Sequence, residues 1–169
     1  MTEPVKIYFG APLFTDMERD FNTKVVNMIR EGLGDKVLVK LPQENEAIND
    51  KSGYADSIMI ATADTQDLLD SDYMIAVLDG VTIDAGLASE IGVAYQAGIP
   101  IIGLYTDVRQ GTHGNKEKIE ALDEIAESQF SYINLYTVGL IKQRGIIFNS
   151  VGKLVDFVID EVERHVNEI

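Results

Sequence analysis

Asp84 and Glu90 stand in the stretch Asp84-Ala85-Gly86-Leu87-Ala88-Ser89-Glu90-Ile91-Gly92, whose other residues are small or apolar. A carboxylate in such company is costly unless something uses it. The chemistry it offers is nucleophilic attack, or stabilisation of a carbon that becomes cationic. Tyr8 closes an apolar run near the start of the chain, and Asp67 lies near the end of the helix expected before the third strand. Plain alternatives stand beside each of these residues. Asp84 is a natural helix N-cap, and Glu90 could face solvent. Tyr8 could be a core aromatic with its hydroxyl at the rim. Asp67 could be a surface charge in an acidic cluster with Asp70 and Asp72, and Asp72 could instead be the acid that matters.

The elements that must position these residues follow from hydrophobic pattern and turn signals. Residues 5–9 read as a buried first strand, ended by Gly10-Ala11-Pro12. Thr15 or Asp16 caps a helix to about Leu33, with Phe21, Val25, Met28, Ile29 and Leu33 at helical spacing. Residues 37–41 form a short second strand. Residues 42–56 read as a long polar loop over the sheet edge, of the kind that binds or covers ligands. Asp56 or Ser57 caps a helix to about Leu69, and residues 73–78 are a third strand buried on both faces. Residues 85–97 are helical and stop at Gly98-Ile99-Pro100. Residues 101–105 form the fourth strand, 117–127 a charged helix, 130–133 a short strand and 135–142 a helix ended near Gly145. An amphipathic helix over 151–166 closes the chain.

Strands alternating with helices imply a parallel sheet with right-handed crossovers. The expected fold is a single α/β domain over residues 1–169, a flavodoxin-like, doubly wound five-stranded sheet ordered 2-1-3-4-5 with helices on both faces. Its switch point lies between strands one and three, where ligands of such sheets bind. Residues 8–12 and 79–90 would line it.

Composition narrows the partners. The chain carries 14 Lys plus Arg against 28 Asp plus Glu, a net charge of −14. Such a surface repels phosphate backbones and anionic membranes, so a neutral or weakly charged small molecule is the expected partner. No cysteine is present, which excludes disulfides and thiol chemistry. His113 and His165 lie far apart, no metal-ligand spacing occurs, and no phosphate-cradling glycine motif is found. The reading therefore requires no metal and no cofactor. No signal peptide or membrane-length apolar run is visible, and the cytoplasm is the expected compartment.

Taken in order, Ile7-Tyr8-Phe9-Gly10-Ala11, then Phe14-Thr15-Asp16, then Asp67-Leu68, then the D-x-G-L-x-x-E-x-G pattern from Asp84 to Gly92 resemble the nucleoside 2-deoxyribosyltransferase family. The resemblance runs from the first strand to beyond the fourth. It implies displacement at an anomeric carbon: Glu90 attacks C1′ of a 2′-deoxynucleoside, the base leaves, and a second base attacks the deoxyribosyl ester. An N-glycosidic bond breaks through an oxocarbenium-like state, which a carboxylate can stabilise and then trap. By the same resemblance Asp67 serves the base, Tyr8 orients the nucleophile and Asp84 holds substrate. Gly10, Ala11 and Gly86 border it. Asn134 is the candidate for an asparagine supplied by a neighbouring subunit, which implies at least a dimer; its plain alternative is a helix N-cap.

Three other readings are open. On the same scaffold, 2′-deoxynucleoside 5′-monophosphate N-glycosidases pass the sugar to water and use a small hydroxyl residue six positions before the glutamate. Here that position is Asp84, which a phosphate would find repulsive, although Ser89 could touch an anion. A non-catalytic nucleoside- or nucleotide-binding module is the second, since fold alone does not fix function. A transferase fold acting on a modified nucleoside is the third, because the 42–56 loop departs from the family pattern.

Overall fold

The structure, a computed structural model, describes residues 3–46 and 53–167. Five parallel strands are ordered β2-β1-β3-β4-β5. They are β1 (Val5–Gly10), β2 (Val37–Lys40), β3 (Tyr73–Val77), β4 (Ile101–Leu104) and β5 (Gly145–Phe148). Among the described residues the α-helices are α1 (Asp16–Leu33), α2 (Ser57–Leu69), α3 (Ala85–Ala97), α4 (Lys116–Glu120), α5 (Leu135–Arg144) and α6 (Val151–Asn167). This is the flavodoxin-like arrangement expected from the sequence.

Strand alternation sends one set of side chains to each face. Ile7, Phe9, Ile75, Val77, Ile102 and Leu104 pack against α1 and α6. Tyr8, Met74, Ala76, Ile101 and Tyr105 pack against the face that carries α2, α3 and α5, where Leu68, Leu87, Ile91 and Ile141 complete a second core. Burial of these aliphatic side chains, each stabilising by about 1.5–3 kcal/mol, fixes the register that brings Tyr8 beside Met74 on one side and Lys40 on the other.

Local chemistry sets the helix starts. Thr15 and Glu18 form a reciprocal capping box at α1. Asp56 and Asp84 cap α2 and α3 by accepting from the Met59 and Leu87 amides. α3 ends at Gly98, which adopts a left-handed φ of 78°.

Two expectations are corrected. Residues 130–133 form no strand; the fifth strand is Gly145–Phe148 and follows α5 without a connecting residue. Gly145 ends the helix as expected, but it also opens the strand. A Cβ there would collide with the Ile101 carbonyl oxygen of the neighbouring strand. The charged helix expected over 117–127 is the short α4 followed by a 3-10 turn, Ala121–Asp123, and its apolar residues Ile119, Leu122 and Ile125 all stay exposed rather than docking on the sheet.

The expected 42–56 loop begins with an anchored 3-10 turn, Pro42–Glu44. Buried Gln43 donates to the Arg19 carbonyl and Thr23 hydroxyl and accepts from Asn22, which also donates to the Pro12 carbonyl. Arg30 holds Glu44 through two nitrogens, at 2.9 and 2.7 Å. Residues 47–52 of that expected loop lie outside the described residues. Among the described residues no helix is long and apolar enough to cross a membrane.

Candidate active site

Glu90 sits in the second turn of α3, partly buried at the carboxyl edge of the sheet. The Tyr8 hydroxyl, rising from β1 beneath it, donates to Glu90 Oε1 at 3.0 Å. The two residues are 82 positions apart, so only the packed fold brings them together. Gly10 makes the approach possible: a Cβ there would stand 2.7 Å from Leu87 Cδ1 and 3.0 Å from Glu90 Oε2.

Electrostatics set the protonation of this pair. Burial pushes the Glu90 carboxyl up to about 7, the negative charges of Asp64 and Asp84 add to the rise, and the Tyr8 hydrogen bond pulls it back. The Tyr8 phenol is pushed up, first by burial and then by the Glu90 charge, so it remains a donor. Glu90 is therefore a carboxylate whose basicity is far above that of an exposed glutamate, aimed by a fixed hydroxyl.

Glu90 lines a cavity of about 360 Å³ between α2 and α3, within the about 300–1,000 Å³ range of small-molecule sites. Ile60, Ala61, Leu68 and Val93 supply apolar wall, and Ser57, Asp64, Thr65 and Ser89 the polar positions. Among the described residues, the cavity lining includes two carboxylates and no lysine or arginine.

The other residues singled out from the sequence fall in different places. Gly86 lines the cavity. Asp84 caps α3 through the Leu87 amide at 3.0 Å and lies close enough to raise the Glu90 carboxyl. Ala11 packs against the α1–α6 core. Asp67 does not line the cavity; its carboxylate lies 3.5 Å from Lys40 Nζ. Asp70 pairs with Lys6 and Lys40, and Asp72 accepts from the Lys6 amide at the far, amino edge of the sheet. Asn134 caps α5, accepting from the Thr137 amide and hydroxyl, and is not among the residues lining this cavity. Ser89 lines it but donates its hydroxyl to the Ala85 carbonyl.

Asp64 is the residue the sequence reading missed. It lies one turn before Asp67, lines the cavity with Glu90, and has its carboxyl pushed up by burial and by Asp67. Asp64 lies three residues after Ala61 and four before buried Leu68, both on the cavity wall, which was the available signal; Asp67, three residues on, turns its carboxylate toward Lys40 instead. Among the described residues, no group of three or more His, Cys, Asp or Glu side chains is placed to hold a metal ion.

Comparison with known proteins agrees with this architecture. A crystal structure of a conserved protein from Enterococcus faecalis V583 is 54% identical, with 94% of this chain and 99% of that one aligned and a TM-score of 0.88. A 2-deoxyribosyltransferase from Leishmania mexicana shares the fold at 19% identity, covering 93% and 98% of the two chains with a TM-score of 0.62. One from Bacillus psychrosaccharolyticus does so at 18% identity, covering 89% and 90% with a TM-score of 0.58. No curated protein matches the sequence. The profile of the nucleoside 2-deoxyribosyltransferases matches residues 7–145, a span that includes Tyr8, Asp64, Asp84 and Glu90, and the chain belongs to that family.

Proposed function

We propose that the protein transfers a 2-deoxyribosyl group from one nucleobase to another through a covalent ester on Glu90. One observation carries this reading: Glu90, oriented by Tyr8 at 3.0 Å, shares a cavity of small-molecule size with a second carboxyl, Asp64. A Glu90 carboxylate oxygen attacks C1′ while the C1′–N bond breaks and its electron pair passes to the base. Asp64, rather than Asp67, gives that base its proton, because Asp64 is the acid on the cavity wall and burial favours its protonated form. In the second half the incoming base nitrogen attacks C1′, the ester breaks, Glu90 regains its charge and Asp64 regains a proton.

An unphosphorylated donor is favoured. A phosphate would meet the Glu90 and Asp64 carboxylates, with no cation among the described residues of the cavity wall, in a protein of net charge −14. Chromatography of deoxyinosine with free adenine, of deoxyinosine alone, and of the same pair of mixtures with thymidine as donor tests the reading. Deoxyadenosine is expected only with adenine present. Glu90→Ala is expected to lower its formation by about a thousandfold or more. Release of hypoxanthine without an acceptor identifies a hydrolase instead. No turnover of either donor overturns both.

A further inference from the structure

Lys40 is a cation set among carboxylates immediately beside the site. It ends β2, stands opposite Tyr8 in the β1–β2 register, and is mostly shielded, with 14% of its side chain exposed. Its Nζ donates to the Asp67 carbonyl at 3.1 Å and to Asp70 Oδ2 at 2.8 Å, and lies 3.5 Å from Asp67 Oδ1. These partners are the last turn of α2 and its C-cap. One ammonium thus caps the carboxyl end of the helix that carries Asp64, where a positive charge is favoured by the helix dipole.

We propose that Lys40 is a positioning residue for the transfer reaction: it clamps the end of α2 against β2, which sets Asp64 in the cavity, and it offsets the Asp67 charge one turn away. The inference rests on the transferase reading of the site. The charges around α2 support it. Asp67 raises the Asp64 carboxyl from one turn away, and the Asp64 charge acts in turn on Tyr8 of β1 and Glu90 of α3, where Asp84 acts as well. Lys40 of β2 contacts Asp67 and Asp70, and Lys6 of β1 contacts Asp70. Among the described residues, the other lysine that contacts this cluster is Lys6, and it contacts Asp70. The negative charge of Asp67 acts on both Asp64 and Tyr8 in the direction that retains their protons.

The test compares wild type, Lys40→Met, Lys40→Arg and Lys6→Met by carboxyl-carbon NMR titration of Asp64 and by kcat and KM for deoxyribosyl transfer. Lys40→Met is expected to raise the Asp64 midpoint by about 0.5–1 pH unit. It is expected to lower kcat by about 5- to 20-fold with KM nearly constant. Lys40→Arg restores both, and Lys6→Met moves the midpoint by less than half as much. Should Lys40→Met not fold, Asp67→Asn tests the same charge relation and is expected to lower the Asp64 midpoint. A wild type that transfers deoxyribose, with the Asp64 midpoint unmoved by Lys40→Met or by Asp67→Asn, overturns the role of Lys40 alone. A wild type that transfers nothing overturns the reading beneath it as well.

Discussion

Glu90→Gln is expected to inactivate the protein and, at alkaline pH, to stabilise it. The glutamine keeps the shape of the side chain and still accepts from the Tyr8 hydroxyl, so only the buried charge is removed. The Glu90 carboxyl rises from 4.5 to about 7 on folding. Between those values the native state holds a proton that the unfolded chain has lost, so folding is favoured at low pH and the advantage disappears as pH rises through about 7. From about pH 5 to about pH 8.5 that linkage removes about 2.5 kcal/mol from the wild type and nothing from the variant. For a domain of this size the difference is about 5–10 °C in Tm. Calorimetry of both proteins across that range reads the Glu90 contribution together with its coupling to Asp64 and Asp84, because acidic groups away from the site titrate alike in the two. A wild-type-to-variant difference that stays flat with pH would refute the reasoning, since the carboxylate would then be solvated as well in the fold as outside it.

Three further outcomes follow from the same geometry. Tyr8→Phe removes the hydrogen bond that pulls the Glu90 carboxyl down, so the acidic limb of kcat/KM moves up by about one pH unit. The loss is then about tenfold near pH 6 and narrows near pH 9, which a pH–rate profile reads directly. Asp64→Asn lowers kcat by about 100-fold or more for donors with poor leaving bases, whereas Asp67→Asn costs less than about tenfold; parallel steady-state assays decide between the two acids. Gly145→Ala places a methyl group on the Ile101 carbonyl oxygen, and urea unfolding should show a loss above about 3 kcal/mol.

Most of the fold was legible because its signals are local and strong. The apolar runs of β1, β3 and β4 are bounded by turns, and Thr15, Asp56 and Asp84 stand where caps belong. β5 was not legible. It is an edge strand with Ile146 42% exposed, it has no preceding loop, and its first residue looks like a helix stop. At the site, strand one and the helix after strand three could be brought together in advance because they meet at the switch point of such a sheet, and the pairing of Tyr8 with Glu90 came from the family resemblance. Asp64 was missed for a different reason. A two-residue Asp-Leu pattern pointed to Asp67, while the orientation of α2 depends on where Leu68 is buried. Lys40 carries no motif at all; its place follows from strand register and from the end of a helix far away in sequence.

The direct passage from Arg144 to Gly145 leaves the second half of the sheet without mechanical slack. A change in the tilt of α5 has no hinge in which to dissipate and must reach β5 as strain on its pairing with β4. Length variation, fused tags and new chain termini are therefore poorly placed at that junction. The largely exposed stretch between β4 and α5 is where an engineer can insert or cut while keeping the sheet, and with it the seat of Tyr8 and Glu90, intact.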